Sequence, residues 1–237
     1  MTTRTNFAWV ALVFAGIAGA ALPAPAQTPP VLSDTEPPPP PPDEETLASQ
    51  PPPTEAQPPS QAPDLGVFKQ QLSPYGRWVD TPEYGRVWIP NGVRSDWQPY
   101  TDGRWIYTEW GWTFASDVPW GPVAFHYGRW GFRASLGWFW VPGFVWAPAW
   151  VSWRISDGFV CWAPFGPAGF VYGPRWPGWV AVPAQHFTHP IAREVIPLAH
   201  AREIIRAARK APSIERAPVR GRAYGPPRTP GRLHSQR

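Results

Sequence analysis

Along the chain the spacing of hydrophobic positions changes character several times. Phe7 to Leu22 is an apolar run without a charge, and residues 27–63 show no period at all. Between 64 and 189 the apolar positions come in short bursts, many of them alternating with period two, the spacing of strands that bury one face. Trp105 and Tyr107 share a face there while Arg104 and Ile106 take the other, and Trp138 and Trp140 point together, opposite Phe139 and Val141. Aromatic residues on both faces of a strand imply that both sides are covered. Past Pro197 the spacing turns helical, through Leu198, Ala201, Ile205 and Ala208, which predicts one short helix ended by Pro212.

The bursts repeat. Gly76-Arg77-Trp78 recurs as Gly103-Arg104-Trp105 and as Gly128-Arg129-Trp130, at spacings of 27 and 25 residues. A second aromatic strand follows each copy: Val87-Trp88-Ile89-Pro90, then Gly111-Trp112-Thr113-Phe114, then Gly137-Trp138-Phe139-Trp140-Val141-Pro142. A further tryptophan site comes at Trp97, Trp120 and Trp146, each near a proline, and a fourth, degenerate unit begins around Asp157-Gly158 and runs through Trp162-Ala163-Pro164. A unit of this length is too short for a four-stranded propeller blade, which takes about 40 residues, and suits two short strands with their turns. The 29 Gly and Pro among residues 64–189 forbid long helices there. The expected fold is all-β, an antiparallel meander of about eight short strands from four degenerate hairpin-like repeats, with one short C-terminal helix and disordered ends.

Composition then divides the 237 residues. Residues 1–26 have Arg4, the apolar run and Ala24-Pro25-Ala26, the three-part layout of a cleavable secretory signal peptide. Residues 27–63 carry 14 prolines and six acids without a Lys or Arg, which reads as an extended acidic tether. Residues 64–189 hold 16 of the 17 tryptophans and have the apolar content for a core. Residues 190–211 are expected to form a short helical segment, and 212–237 a basic, disordered tail. From 190 onward there are 11 Arg or Lys against three acids. Charged residues make up 16% of the chain, below the globular average of about 25%, which excludes a coiled coil. The leader implies a periplasmic, outer-envelope or secreted location in a bacterium, with no transmembrane span once it is removed.

From Tyr75 to about Pro183 the sequence resembles a bacterial exported, tryptophan- and proline-rich family whose domain has no assigned function and is sometimes found beside a FecR-type domain. The likeness rests on Val87-Trp88-Ile89-Pro90, Trp97-Gln98-Pro99-Tyr100, Gly103-Arg104-Trp105, Pro119-Trp120-Gly121, His126-Tyr127-Gly128-Arg129-Trp130 and Gly137-Trp138-Phe139-Trp140-Val141-Pro142-Gly143. It continues through Pro148-Ala149-Trp150-Val151-Ser152-Trp153-Arg154 and Trp162-Ala163-Pro164. A weaker likeness is to short Trp-x-x-Gly-x-Trp repeats. Cys161 stands where the family pattern more usually has glycine. The resemblance implies an envelope location and a β fold, and brings no catalytic residue with it.

Sixteen indoles are many for so small a core, so some are expected to be exposed, where a rigid ring can stack on a sugar. Trp97, Trp112, Trp120, Trp146 and Trp150 are the candidates. Arg202, Arg206 and Arg209 are the candidate anion contacts. A glycosidase needs two carboxylates about 5–9.5 Å apart, which Asp102 with Glu109 or Asp117 would have to supply. His126 is the histidine well inside the core; His186 and His189 lie at its edge without the further ligands of a tetrahedral metal site. Cys161, the single cysteine, is expected to be buried and inert. No phosphate-binding glycine loop, nucleophile elbow or zinc signature is present. The expectation is a non-enzymatic envelope protein without catalytic residue, metal or cofactor, used for interaction or scaffolding, with an envelope glycan, peptidoglycan or envelope protein as partner and nucleic acid excluded by export. The competing expectations are a polysaccharide-active hydrolase and an electrostatic binder of anionic polymers or lipids.

Overall fold

The computed structural model describes residues 57–170, 176–214, 217–218 and 220–228. The leader, most of the proline-rich tether and residues 229–237 of the tail lie outside the described residues. The chain enters the domain through helix α1 (Leu65–Leu72), which the sequence reading did not foresee. Asp64 caps it, its carboxylate accepting from the Val67 N–H at 2.9 Å. Phe68 and Leu72, on one face by their spacing, are buried.

Four antiparallel hairpins follow. β1 (Gly76–Thr81) pairs with β2 (Gly85–Pro90), and β3 (Gly103–Thr108) with β4 (Gly111–Ser116). After the single helical turn α2 (Gly121–Ala124), β5 (Arg129–Arg133) pairs with β6 (Gly137–Val141), and β7 (Val151–Ser156) with β8 (Phe159–Pro164). The all-β, antiparallel, four-hairpin expectation holds. The fourth hairpin, however, starts at Val151 rather than near Asp157-Gly158, which form its turn. Val151-Ser152-Trp153 takes the place that Gly-Arg-Trp has in the other three.

The same cross-strand pair sits in every hairpin: Trp78 opposite Trp88, Trp105 opposite Phe114, Trp130 opposite Trp140, Trp153 opposite Trp162. These rings are what each hairpin contributes to the main core. Burial alternates along β3 and β7, whereas β4 and β8 are almost wholly buried on both faces.

Two further strands were not expected. β9 (Val180–Pro183) pairs with β8, and β10 (Arg209–Ala211) with β7, giving a sheet in the order β10-β7-β8-β9. The other large sheet runs β1-β2-β6-β5, closed by Trp88 opposite Trp140, so the first and third hairpins share a sheet while β3-β4 stands apart. The order is therefore not a simple meander. Helix α3 (Leu198–Ala207) is the expected C-terminal helix, but it ends at Ala208, whose backbone is extended and leads into β10 well before Pro212. Ala201 and Ile205 pack with Cys161, Ala163 and Trp179 on the outer face of the second sheet.

Candidate interaction surface

The five tryptophans expected to be free for stacking are all buried: Trp97, Trp112, Trp120, Trp146 and Trp150 are none of them more than 8% exposed. Their expected exposure is corrected by the way they pack. Trp97 and Trp120 lie edge to face at 5.8 Å, and each meets Trp130. The N–H of Trp97 goes to Asp102 Oδ2 at 2.8 Å, that of Trp112 to the Pro226 carbonyl at 3.0 Å and that of Trp150 to the His126 carbonyl at 3.0 Å. Among the described residues thirteen tryptophans are buried, and Trp78, Trp110 and Trp176 are half-buried. A small domain hides this many indoles in part because several of their N–H groups find backbone carbonyls inside it, as Trp88, Trp130 and Trp140 do at Leu72, Ala124 and Tyr127, whereas the buried Trp105 N–H has no partner among the described residues.

The three candidate arginines have the opposite placement. Arg202 and Arg206 are four residues apart and so share a face of α3, away from buried Ala201 and Ile205, and both are exposed. Arg209 and Lys210 follow in β10, also exposed. Among the described residues no ion pair involves any of these four cations. Besides the pairing of β10 with β7 and the packing of Ala201 and Ile205, a fifth cation fixes the strip to the domain from below. Arg154, on β7, donates to the Ile205 and Ala208 carbonyls at 3.2 and 3.3 Å, closing the C-terminal end of α3, and its guanidinium lies 5.0 Å from the Trp179 ring centre. A shallow cavity of about 260 Å³ opens beside the strip, lined by Ile155, Ser156, Asp157, Ala207 and Arg209.

The candidate carboxylates do not form a catalytic pair with Glu109. Asp102 and Glu109 flank opposite ends of the six-residue strand β3, roughly 20 Å apart at about 3.3 Å per residue. Asp102 and Asp117 do meet at the open end of the hairpin, the Asp117 N–H donating to the Asp102 carbonyl at 3.1 Å, but the Asp102 carboxylate is engaged by Trp97. Glu109 is exposed at the closed end and takes Arg220. His126 is fully buried. Its Nδ1 lies 2.9 Å from the Ala147 carbonyl, which can only accept, so Nδ1 carries the proton and the buried Nε2 is left without a partner. Burial holds this imidazole down, to a pKa of about 4. His186 and Glu194 pair at 2.7 Å, with His189 stacked on His186. Among the described residues no group of three or more His, Cys, Asp or Glu could hold a metal ion. Cys161 is buried under α3, and desolvation pushes its thiol up to about 12.

Composition gave no reason to place the basic tail, yet its described part lies on the domain. Ser213 Oγ accepts from the backbone N–H of Trp153 at 3.1 Å, Ile214 and Tyr224 are buried with Ala147 and Trp150, and the Pro226 carbonyl accepts from the Trp112 indole. The expectation of a structureless segment therefore does not extend over these residues. The packing that buries Trp112 and Trp150 comes in part from this tail, and sequence reasoning had no periodic signal with which to find it.

No helix among the described residues is long and apolar enough to cross a membrane. No curated protein and no solved structure matches the chain. One family does: a family described as "Family of unknown function (DUF6600)" matches residues 69–169, from within α1 to just past β8, which is the four-hairpin body without β9, α3 or the tail.

Proposed function

We propose that the protein is a non-enzymatic interaction module of the cell envelope, exported by its leader and held on its proline-rich tether, which docks on an anionic envelope polymer or lipid surface through the cations of α3 and β10. The observation that carries this reading is the placement of Arg202, Arg206, Arg209 and Lys210. They are exposed within nine residues of chain, two on α3 and two on β10, and the end of α3 is clamped to the second sheet by Arg154. The indoles that would have made a stacking platform are instead the scaffold, and a scaffold of this rigidity suits a surface that must hold several charges at fixed spacing. Association through such a strip is electrostatic, fast and salt-sensitive.

The test is binding of the full chain to a soluble acidic polysaccharide and to anionic vesicles across a salt series. The triple variant Arg202→Glu, Arg206→Glu, Arg209→Glu should lose about tenfold or more in affinity and most of the salt dependence. Unchanged affinity in that variant would remove the strip from the function. Binding that is insensitive to salt would do the same.

A further inference from the structure

The tail lies in a groove whose chemistry is that of a peptide-recognition site. Its floor is the closed end of the β3-β4 hairpin, with Tyr107, Trp110 and Trp112, and the loop before β7, with Ala147 and Trp150. The Trp112 indole N–H donates to the Pro226 carbonyl, and the Gly221 N–H donates to the Glu109 carbonyl at 3.0 Å. Arg220 gives both Nε, at 2.8 Å, and Nη2 to Glu109 Oε2, while its guanidinium carbon lies 5.9 Å from the Trp110 ring centre. Arg228 lies 5.1 Å over the Tyr107 ring. Between them Tyr224 is only 5% exposed, and Gly225, at φ +84°, passes so close to Trp112 and Trp153 that a Cβ would come within 3.1 Å of both. Aromatic walls, an indole donor to a proline carbonyl and a carboxylate for a flanking arginine are the means by which proteins read extended proline-containing peptides.

Most of the occupant faces solvent. Of the described residues 220–228, Tyr224 and Pro226 are buried, Gly225 is partly covered, and the rest are exposed. The Arg220–Glu109 pair faces solvent on both sides, so it adds little to the hold. Such a segment opens at far lower free energy than the hairpins beneath it. We propose that this groove is a binding site for an extended, arginine-containing peptide segment bearing an aromatic-Gly-Pro-Pro sequence, presented by a partner protein, and that residues 220–228 occupy it in cis until displaced. Glu109 selects for the basic flank, the pocket beside Trp150 takes the aromatic side chain, and Trp112 fixes the register at the proline carbonyl. The site is separate from the cationic strip on α3 and does not depend on its role.

The test uses the full chain with Arg220→Glu and Tyr224→Ala, which undock the tail and leave the groove intact, titrated with a synthetic peptide of residues 217–228 and followed by tryptophan emission. This variant should bind the peptide at least about tenfold more tightly than the wild-type chain, whose tethered tail competes at high effective concentration. Adding Glu109→Arg, which sets a like charge against the peptide's arginine, should weaken binding a few-fold, and replacing the peptide's tyrosine by alanine should abolish it. Equal affinity of the wild-type chain and the variant, no binding by a variant with a native near-UV spectrum, or undiminished binding of the alanine peptide would each overturn the proposal. So would loss of the native spectrum in the variant, because the tail would then be part of the core. Limited trypsin digestion of the wild-type chain gives a second readout. Cleavage at Arg220 or Arg222 should precede any cut within the four hairpins, and equal rates would refute an exchangeable occupant.

Discussion

His126 shows what a single polar residue costs when it is enclosed by indoles. Its ring is stacked on Trp146 at 5.6 Å, its Nδ1 proton is committed to the Ala147 carbonyl, and no partner reaches Nε2. A second proton would have to be carried at a buried site without an acceptor, which is why burial depresses the pKa from 6.5 to about 4. In the unfolded chain the imidazole titrates at its ordinary value. The stabilising difference is therefore complete above about pH 6.5 and is lost as the pH falls towards about 4, where only the unfolded state has been gaining a proton. Over that window the loss is on the order of 3 kcal/mol. Urea midpoints measured across it should fall with acid in the wild-type chain. They should fall less steeply in His126→Gln, whose stability at neutral pH is lower but whose side chain does not titrate. Parallel slopes in the two proteins would show that His126 is not the group responsible.

Each of the first three hairpins depends on a glycine at the head of its first strand, because an aromatic ring from the partner strand lies across it. A Cβ on Gly76 would sit 2.3 Å from the Ile89 carbonyl and 2.4 Å from Trp88 Nε1. On Gly128 it would sit 2.3 Å from the Val141 carbonyl and 2.6 Å from the Trp140 indole. Gly137, in the turn of the same third hairpin, has a similar positive φ, +73° against +62°, but nothing within 4 Å. Gly137→Ala should thus cost about 1–2 kcal/mol for the backbone conformation alone. Gly128→Ala should cost that and a further 1–3 kcal/mol, roughly, for displacing Trp140 or the strand. Equal losses in chemical denaturation would mean that the ring does not rest on the glycine. This device is also what made the fold legible. The Gly-Arg-Trp spacing marked three hairpins correctly, and the fourth was entered too late because Val151 replaces the glycine and removes the marker. Helix α1 carried a legible signal in Asp64 and the spacing of Leu65, Phe68 and Leu72, hidden by the glycine and proline around it. The pairing of β2 with β6, and the short strands β9 and β10, left no local trace, since they are decided by which sheet edge is nearest after the hairpins pack. The exposure of Arg202 and Arg206 was legible because exposed charge on a helix follows its period; the burial of the candidate tryptophans was not, because it depends on carbonyls and a tail far away in sequence.

Among the described residues the largest cluster of rings draws on all four hairpins, and none of the four hairpins has a core of its own. Trp105, from the second hairpin, lies 4.5 Å from Trp153 and 5.5 Å from Trp162 of the fourth, and 5.9 Å from Phe187 beyond β9. Trp88 of the first hairpin meets Trp130 of the third at 6.3 Å, and Trp120 between them meets both. Removing one hairpin would expose the faces of the others, so partial unfolding gains chain entropy for one unit at the cost of hydrophobic burial in several. The domain should therefore unfold as a single cooperative unit, with tryptophan emission, near-UV and far-UV circular dichroism sharing one midpoint. Native emission should be blue-shifted and poorly quenched by acrylamide, since most of the rings are out of water. Cys161 reports the same event independently: buried beneath α3, with a thiol pushed up to about 12, it should remain unmodified by thiol reagents until the common midpoint is reached. Separated transitions, or labelling of Cys161 while the tryptophan signal is still native, would show that α3 leaves the sheet on its own. The cationic strip would then ride on a helix that moves independently of the β domain, and the fixed charge spacing that its docking role requires would be lost.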